Sequence, residues 1–408
     1  MKVISIGTDR KIFEDESAVR LRAISYGALA EEVHMIVFSK RKNGQTGERV
    51  VIAPNVFAYP TNSFSKLTYI FDAVRIGKKI ADIILQNNEE HVLVTAQDPF
   101  ECGYVAGKVA EYAGVKAKLH LQIHTDFLNP YFSRSSLLNR MRVYYSKRLL
   151  PEAHGIRVVS ERIATSLAKS GIILACGPSV LPIFVDIKKM QNAQILPDAD
   201  LRSRYPQFNF RILMASRLSS EKDFMTAVRA VRESVMHYKK TGLIIVGDGP
   251  EKETILRRAR EAGIEGHVFI EPWAGRETLL SYYKTAHLFL STSLYEGYGM
   301  SMVEAVATGL PVVATDAGIA SGLLVGTKNV TTVCPVKGVK CLFDKIRWFV
   351  EDLEFRRRFP VEVTTRLPDF SYADEADYLS RYKADWERCF VETDTDNVDA
   401  SLKNEDKK

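Results

Sequence analysis

Cysteine is scarce in this 408-residue chain: five residues, Cys102, Cys176, Cys334, Cys341 and Cys389, odd in number and scattered. No pair has the spacing of a zinc or dithiol motif, which argues against a disulfide framework and against a structural metal. A reducing cytoplasm is the simplest setting for such a chain. Long apolar runs are also missing. The longest stretches without charge, near 50–65 and 171–185, are shorter than a bilayer span and contain proline. The opening MKVISIGTDRKIF has neither a long apolar core nor a small-residue cleavage site, so a secretory leader is not expected. Basic and aromatic residues are not interleaved in any known nucleic-acid motif, so nucleic acid is not an expected partner. No fixed-period repeat is visible.

What is present points to a soluble α/β protein of two domains. Apolar residues make up 46%, and the length is enough for two cores. The net charge is +6, and all of it lies in residues 1–200, which hold 26 Lys and Arg against 20 Asp and Glu. That asymmetry suits an anionic ligand or surface on the N-terminal half, or simply a solvated face. Short β-branched runs (VISI, VHMIVF, HVLVTAQ, KLHLQIH, GIRVVS) alternate with helical periodicity, the pattern of a parallel sheet covered on both sides. ILPDADLRSRYPQFN is polar and proline-containing and reads as a linker. The alternation then restarts with FRILMAS, GLIIVGDGP, HVFIEP, HLFLSTS and PVVATD. The expected domains are 1–195 and 205–370, with an aromatic helix near 372–390 returning to the first domain and a polar, disordered tail over 391–408.

The stretch YEGYGMSMVEAVATGLPVVATD, residues 295–316, carries two glutamates, Glu296 and Glu304, around a Gly-x-Gly turn. Glu296 follows a strand at the carboxyl rim, where parallel α/β sheets bind ligands. Gly297 and Gly299 allow close backbone approach. A helix over 299–308 would aim the free amides of Gly299, Met300 and Ser301 at that rim, an anion site. Glu304 in the same helix suits hydroxyls rather than phosphate. Glycine turns and acidic residues near a helix start also occur in proteins without any such site. Arg217 and Lys222 in FRILMASRLSSEKDF follow another strand, and such a pair can clamp a diphosphate without a metal; an exposed basic loop is the alternative. Gly247, Gly249 and Pro250 in VGDGPEKETI form a tight turn, but Lys252 occupies the last position of a dinucleotide fingerprint, so that reading fails.

Taken in order, ASRLSSEKD, IIVGDGPEKE and SLYEGYGMSMVEAVATGLPVVATD resemble the retaining glycosyltransferases of GT-B fold, family 4. The likeness is strong over 210–320 and weaker over AHGIRVVSERI, SVLPIFVD and QIHTDF. It implies two Rossmann-like domains facing across a cleft. It further implies a hexosyltransferase of polysaccharide or cell-envelope synthesis, using a UDP- or GDP-sugar donor, no cofactor and no metal. By the same resemblance Arg217 and Lys222 hold the donor diphosphate, and Glu304 takes the ribose. Glu296 and residues Gly297, Tyr298, Gly299, Met300 and Ser301 hold the transferred sugar and phosphate. The base pocket is expected near Phe269 to Gly275. His124, at a strand end in LHLQIHTDF, would face the sugar from the first domain; a lone strand-end histidine is equally a structural one. Asp98 and Asp126 are candidates for the acceptor. DAD at 198–200 falls in the linker and is a poor metal site.

The chain departs from the family pattern on the acceptor side. Only Gly7 stands where many members have a Gly-Gly loop, and PIFVD replaces the usual Asn-Gly before Val-Asp. A phosphorylase or epimerase on the same fold and a non-catalytic sugar-binding homologue are the competing readings. A saccharide or lipid-linked saccharide is the implied acceptor. Residues 134–149, RSSLLNRMRVYYSKRL, form a candidate amphipathic helix. Arg140, Lys147 and Arg148 share one face, and Leu137, Met141, Tyr144 and Tyr145 another. Such a helix can lie at the inner face of an anionic membrane, or pack its apolar side on the sheet.

Overall fold

The computed structural model describes residues 1–41, 49–86, 91–326 and 330–391. The chain builds two open, almost wholly parallel sheets. The first runs β1 (Lys2–Gly7), β2 (Glu32–Val37), β3 (Val50–Ala53), β4 (Val56–Pro60), β5 (Val92–Ala96), β6 (Ala117–Ile123), β7 (Gly155–Val158) and β8 (Ser179–Val180). Their spatial order is β3-β4-β2-β1-β5-β6-β7-β8, and β3 alone runs antiparallel, on the edge against β4. The second holds β9 (Phe210–Ala215), β10 (Thr241–Val246), β11 (Val268–Glu271), β12 (Leu288–Ser291), β13 (Val312–Thr315) and β14 (Val333–Cys334), in the order β11-β10-β9-β12-β13-β14. Central strands such as β5, β9 and β10 are buried at every position, the consequence of helices on both faces.

The proline-containing stretch after the first sheet does not stay extended. Pro197–Ala199 forms a 3-10 turn and Leu201–Arg204 a short helix. Ser281 and Thr285 anchor them to the second sheet's helices by accepting from the amides of Leu196 and Leu201. Asp200 caps that short helix and pairs with Arg202.

The helix Glu375–Glu387 returns to the first sheet. Tyr378, Tyr382 and Trp386 bury themselves there, and Tyr382 stacks on Tyr26 at 4.8 Å between ring centres. Residues 392–408, the bulk of the stretch read as a disordered tail, lie outside the described residues.

One expectation is overturned. Cys334 and Cys341 form a disulfide, with Cα atoms 5.8 Å apart. Their separation of seven residues matches no motif. The pair meets because β14 ends at Cys334 and the chain turns at once into the helix Val339–Glu351. Cys102, Cys176 and Cys389 are free. Among the described residues no helix is long and apolar enough to cross a membrane.

Candidate active site

The carboxyl ends of the two sheets face each other across a cleft of about 490 Å³. Its walls bring together His124 and Thr125 from the end of β6 with Arg217, Lys222, Glu296, Gly297, Tyr298, Gly299, Met300 and Ser301 from the second sheet. Residues about 170 positions apart in sequence thus share one space, as the parallel topology demands.

The second-sheet wall is built from tightly packed loops. Gly247 and Gly249 hold left-handed backbone, with φ of 149° and 154°. A β-carbon on either would lie 2.0 Å from the Ser216 carbonyl oxygen or 2.4 Å from that of Leu218. The Gly-Asp-Gly turn therefore supports the loop that presents Arg217. Leu218 and Glu251 seal it with backbone bonds, Leu218 N–H to Asp248 O at 2.9 Å and Glu251 N–H to Leu218 O at 3.0 Å. Arg217 itself is exposed and makes no ion pair with any described residue.

Lys222 is held differently. Its ammonium pairs with Glu296, and Ser293 Oγ donates to the same carboxylate oxygen at 2.8 Å. Thr292 Oγ1 donates to the Lys222 carbonyl at 2.7 Å, tying the lysine's loop to the end of β12. Glu296 thus orients Lys222, a relation that sequence spacing does not contain.

Gly299 starts the helix Met300–Ala307 from left-handed backbone at φ 102°. The first amides of that helix have no intrahelical acceptor, and its positive dipole end opens on the cleft. Glu304 lies a turn further on and does not line the cleft. It is half-buried, accepts from Tyr283 OH at 3.1 Å, and burial raises its pKa against the opposing pulls of that bond and of Arg276. Trp273, two-thirds exposed, lines the cleft beside these groups. The sequence pointed to its stretch, Phe269 to Gly275, but not to the indole.

The first-sheet wall is His124 and its carbonyl. Burial, reinforced by Arg157 and Arg22, brings the imidazole's pKa down to about 3, so the ring is neutral at pH 7. Gly297 sits under the His124 carbonyl so closely that a β-carbon there would be 1.9 Å from the oxygen. Ser160 Oγ donates to Gly297 O at 2.7 Å, and Arg162 donates to Gly318 O at 2.7 Å and to Ser321 Oγ at 2.9 Å. Arg162 also pairs with Asp316. These contacts lock the two walls together.

Asp98 and Asp126 stand apart from the cleft. Asp98 accepts from the amides of Phe100 and Cys102 at 2.8 and 3.3 Å and so caps the helix Glu101–Ala113. Asp126 is buried, burial raises its pKa, and its Oδ1 has no hydrogen-bond partner among the described residues. Among the described residues no three His, Cys, Asp or Glu side chains converge as metal ligands.

Residues 203–362 match the family model described as "Glycosyl transferases group 1". Among curated relatives, the GtfA subunit of the UDP-N-acetylglucosamine–peptide N-acetylglucosaminyltransferase of Streptococcus gordonii is 27% identical over 194 residues, 47% of this chain and 37% of that one. Alpha-monoglucosyldiacylglycerol synthase of Streptococcus pneumoniae is 28% identical over 197 residues, 47% of this chain and 44% of that one. The chain thus spans less than half the length of these relatives. Among solved structures, sucrose-phosphate synthase from Thermosynechococcus elongatus superposes with a TM-score of 0.75 at 16% identity, covering 94% of this chain and 98% of that one. Anabaena HepE in complex with UDP and glucose gives 0.69 at 18%, with the same coverage. The second sheet and the motifs on it are thus similar to the glycosyl transferases group 1 over residues 203–362, and the chain as a whole has the GT-B fold of the solved structures.

Proposed function

We propose that this protein is a retaining, metal-independent hexosyltransferase. It moves a sugar from a UDP- or GDP-sugar, held by the second sheet, to a saccharide or lipid-linked saccharide presented by the first. One observation carries this reading: an unpaired arginine, an oriented lysine and a helix N-terminus converge in the same cleft that His124 closes from the other side. Cleavage of a sugar–phosphate bond leaves growing negative charge on the diphosphate. Arg217, Lys222 and the first amides of Met300–Ala307 line the cleft in which, on this reading, that charge forms, and preorganised donors act most strongly on developing charge. No step in this reading calls for a metal.

Glu296 steers Lys222 and, with the Gly297 to Ser301 backbone, faces the transferred sugar. By the resemblance of its segment to the family, Glu304 is assigned the ribose hydroxyls, although it sits one turn behind the cleft lining and is held there by Tyr283. Retention of anomeric configuration is carried over from the resemblance of these motifs to the retaining glycosyltransferases. The experiment is incubation with UDP- and GDP-sugars and acceptor extracts, with and without EDTA, and NMR of the product anomer. Transfer with retention that survives chelation is expected. Complete loss on chelation, restored by manganese, would overturn the metal-free clamp, and absence of transfer with every donor would favour the sugar-binding alternative.

The acceptor side favours a lipid-linked saccharide for a specific reason. On the helix Leu137–Leu149, Leu137, Met141 and Tyr144 do not pack on the sheet; they are 73%, 68% and 58% exposed, while Tyr145 turns inward. Residues 127–151 contain Arg134, Arg140, Arg142, Lys147 and Arg148 and no acidic residue. Arg142 is engaged by Glu101, leaving four cations beside the apolar stripe. Each contributes about 1 kcal/mol near an anionic surface, so contact at the inner face of a membrane is weak and salt-sensitive. Co-sedimentation with anionic vesicles at low salt, lost at high salt, is expected; no binding at low salt removes the membrane from the reading.

A further inference from the structure

A row of polar side chains runs along one face of β6 under the C-terminal helix. His120, Gln122 and His124 alternate along the strand, so they share a face. Gln122 lies beside Arg157 in the register of β6 and β7, and Thr95 beside His120 in that of β5 and β6. All but His124 are buried: Arg157 is 2% exposed, Gln122 5%, Thr95 1%, His120 0% and Tyr382 2%.

With His120 neutral, the direction of every hydrogen bond in this row follows from its two ends. A guanidinium only donates. Arg157 Nη1 lies 3.0 Å from one end of the Gln122 amide, so that atom is the oxygen, Oε1. The amide nitrogen then donates to Thr95 Oγ1 at 3.2 Å, and the threonine hydroxyl donates to His120 Nδ1 at 2.8 Å. His120 Nε2 must carry the proton and donates to Asp385 at 3.0 Å. A carboxylate only accepts, so the chain that starts on a donor-only group ends on an acceptor-only one without conflict. Tyr382 OH donates to the same Gln122 oxygen at 3.0 Å.

The oxygen so fixed also faces His124 Nε2 at 3.3 Å. Only a protonated Nε2 can approach it. A neutral ring with its proton there has a bare lone pair on Nδ1, and Nδ1 has no hydrogen bond to any described residue while His124 lines the cleft. We propose that Gln122, Arg157 and Tyr382 are positioning residues that hold His124 as its neutral Nε2–H tautomer, presenting Nδ1 to the cleft as an acceptor for a sugar hydroxyl. The C-terminal helix, 260 residues away in sequence, thereby sets what the cleft histidine can recognise. The proton on Nε2 follows from the hydrogen bonds and the neutral ring from its enclosure beside Arg157; the sugar hydroxyl rests on the function proposed above.

Long-range 1H–15N correlation of the histidines in the free protein at pH 7 tests it, with His124 assigned by comparison with His124→Gln. The wild-type chain is expected to show a protonated Nε2 and a pyridine-type Nδ1. Gln122→Leu is expected to lose that pattern for an averaged one, with the far-UV circular dichroism of the native fold. Tyr382→Phe, which removes one donor and keeps the ring, is expected to shift the His124 Nε2 resonance with the fold intact. An Nδ1–H ring or an imidazolium in the wild type, an unchanged tautomer in folded Gln122→Leu, or an unmoved resonance in Tyr382→Phe would each overturn the proposal. Titration with UDP-glucose or GDP-mannose then addresses the other reading separately. Movement of Nδ1 supports a sugar hydroxyl as its partner; a fixed Nδ1 with the Nε2–H tautomer in place refutes the sugar contact alone.

Discussion

Replacing Gly297 by alanine separates the closure of the cleft from the chemistry inside it. The φ of Gly297 lies outside the left-handed region, so alanine brings no backbone strain of its own. What it brings is one methyl group, 1.9 Å from the His124 carbonyl oxygen, 2.6 Å from its carbon and 3.1 Å from the Thr125 nitrogen. All three are backbone atoms and cannot swing aside. Restoring ordinary contact at 3.4 Å or more requires the walls to part by about 1.5 Å. That opening stretches the Ser160–Gly297 bond beyond hydrogen-bonding reach, a loss of about 0.5–1.5 kcal/mol, and carries His124 away from the sugar. Misplacement of about 1 Å can lower a rate about 100-fold. We therefore expect turnover of Gly297→Ala to fall about 100-fold or more. Nucleotide affinity by calorimetry should stay near the wild-type value, because Arg217 and Lys222 are on the second wall only. Small-angle scattering should show a wider interdomain separation. Wild-type turnover would refute the argument, and so would a nucleotide affinity that falls in step with turnover.

Arg217→Ala should lower kcat about 100-fold or more, because the charge it meets grows in the transition state, whereas Glu304→Ala should weaken donor binding by about 1–3 kcal/mol; equal effects on kcat and KM in both would sink the division of roles. The His287 pKa, held down to about 4 by burial and by Arg211, Arg356 and Arg202, implies acid sensitivity. The unfolded chain takes up that proton near pH 6.5 and the folded one does not, so stability is full above about pH 6.5 and falls towards pH 4. Thermal melts of His287→Gln should show a shallower loss over that interval, and an unchanged slope would contradict the assignment. Thiol titration of the unfolded, unreduced chain should find the three free cysteines, Cys102, Cys176 and Cys389, and five after reduction; five without reductant would remove the disulfide.

The order of elements was legible in the sequence because each is written in local terms. Short apolar runs such as ILMA and GLIIV, set between helical stretches, read as strands covered on both faces. The helix Met300–Ala307 starts at Gly299 and ends before Gly309, where the chain needs left-handed backbone. The loops bearing Arg217, Lys222 and Glu296 follow strand ends, which in a parallel sheet all lie on one rim, so their meeting was implied by topology. What tertiary structure alone decided concerns pairs distant in sequence. Whether Glu296 faces a ligand or Lys222 depends on how two loops 74 residues apart settle against each other. Gly297 lacks room for even a methyl group only because the first wall descends on it. The apolar stripe of Leu137–Leu149 reads the same whether it packs on the sheet or faces outward, since helical periodicity records that a face exists and not what meets it. Cys334 and Cys341 meet because a strand happens to end where a helix begins. The proton on His124 is set by an arginine on the neighbouring strand and a tyrosine on the last helix, and no spacing along the chain carries that information, because a hydrogen bond's direction depends on its partner and the partner is chosen by the fold.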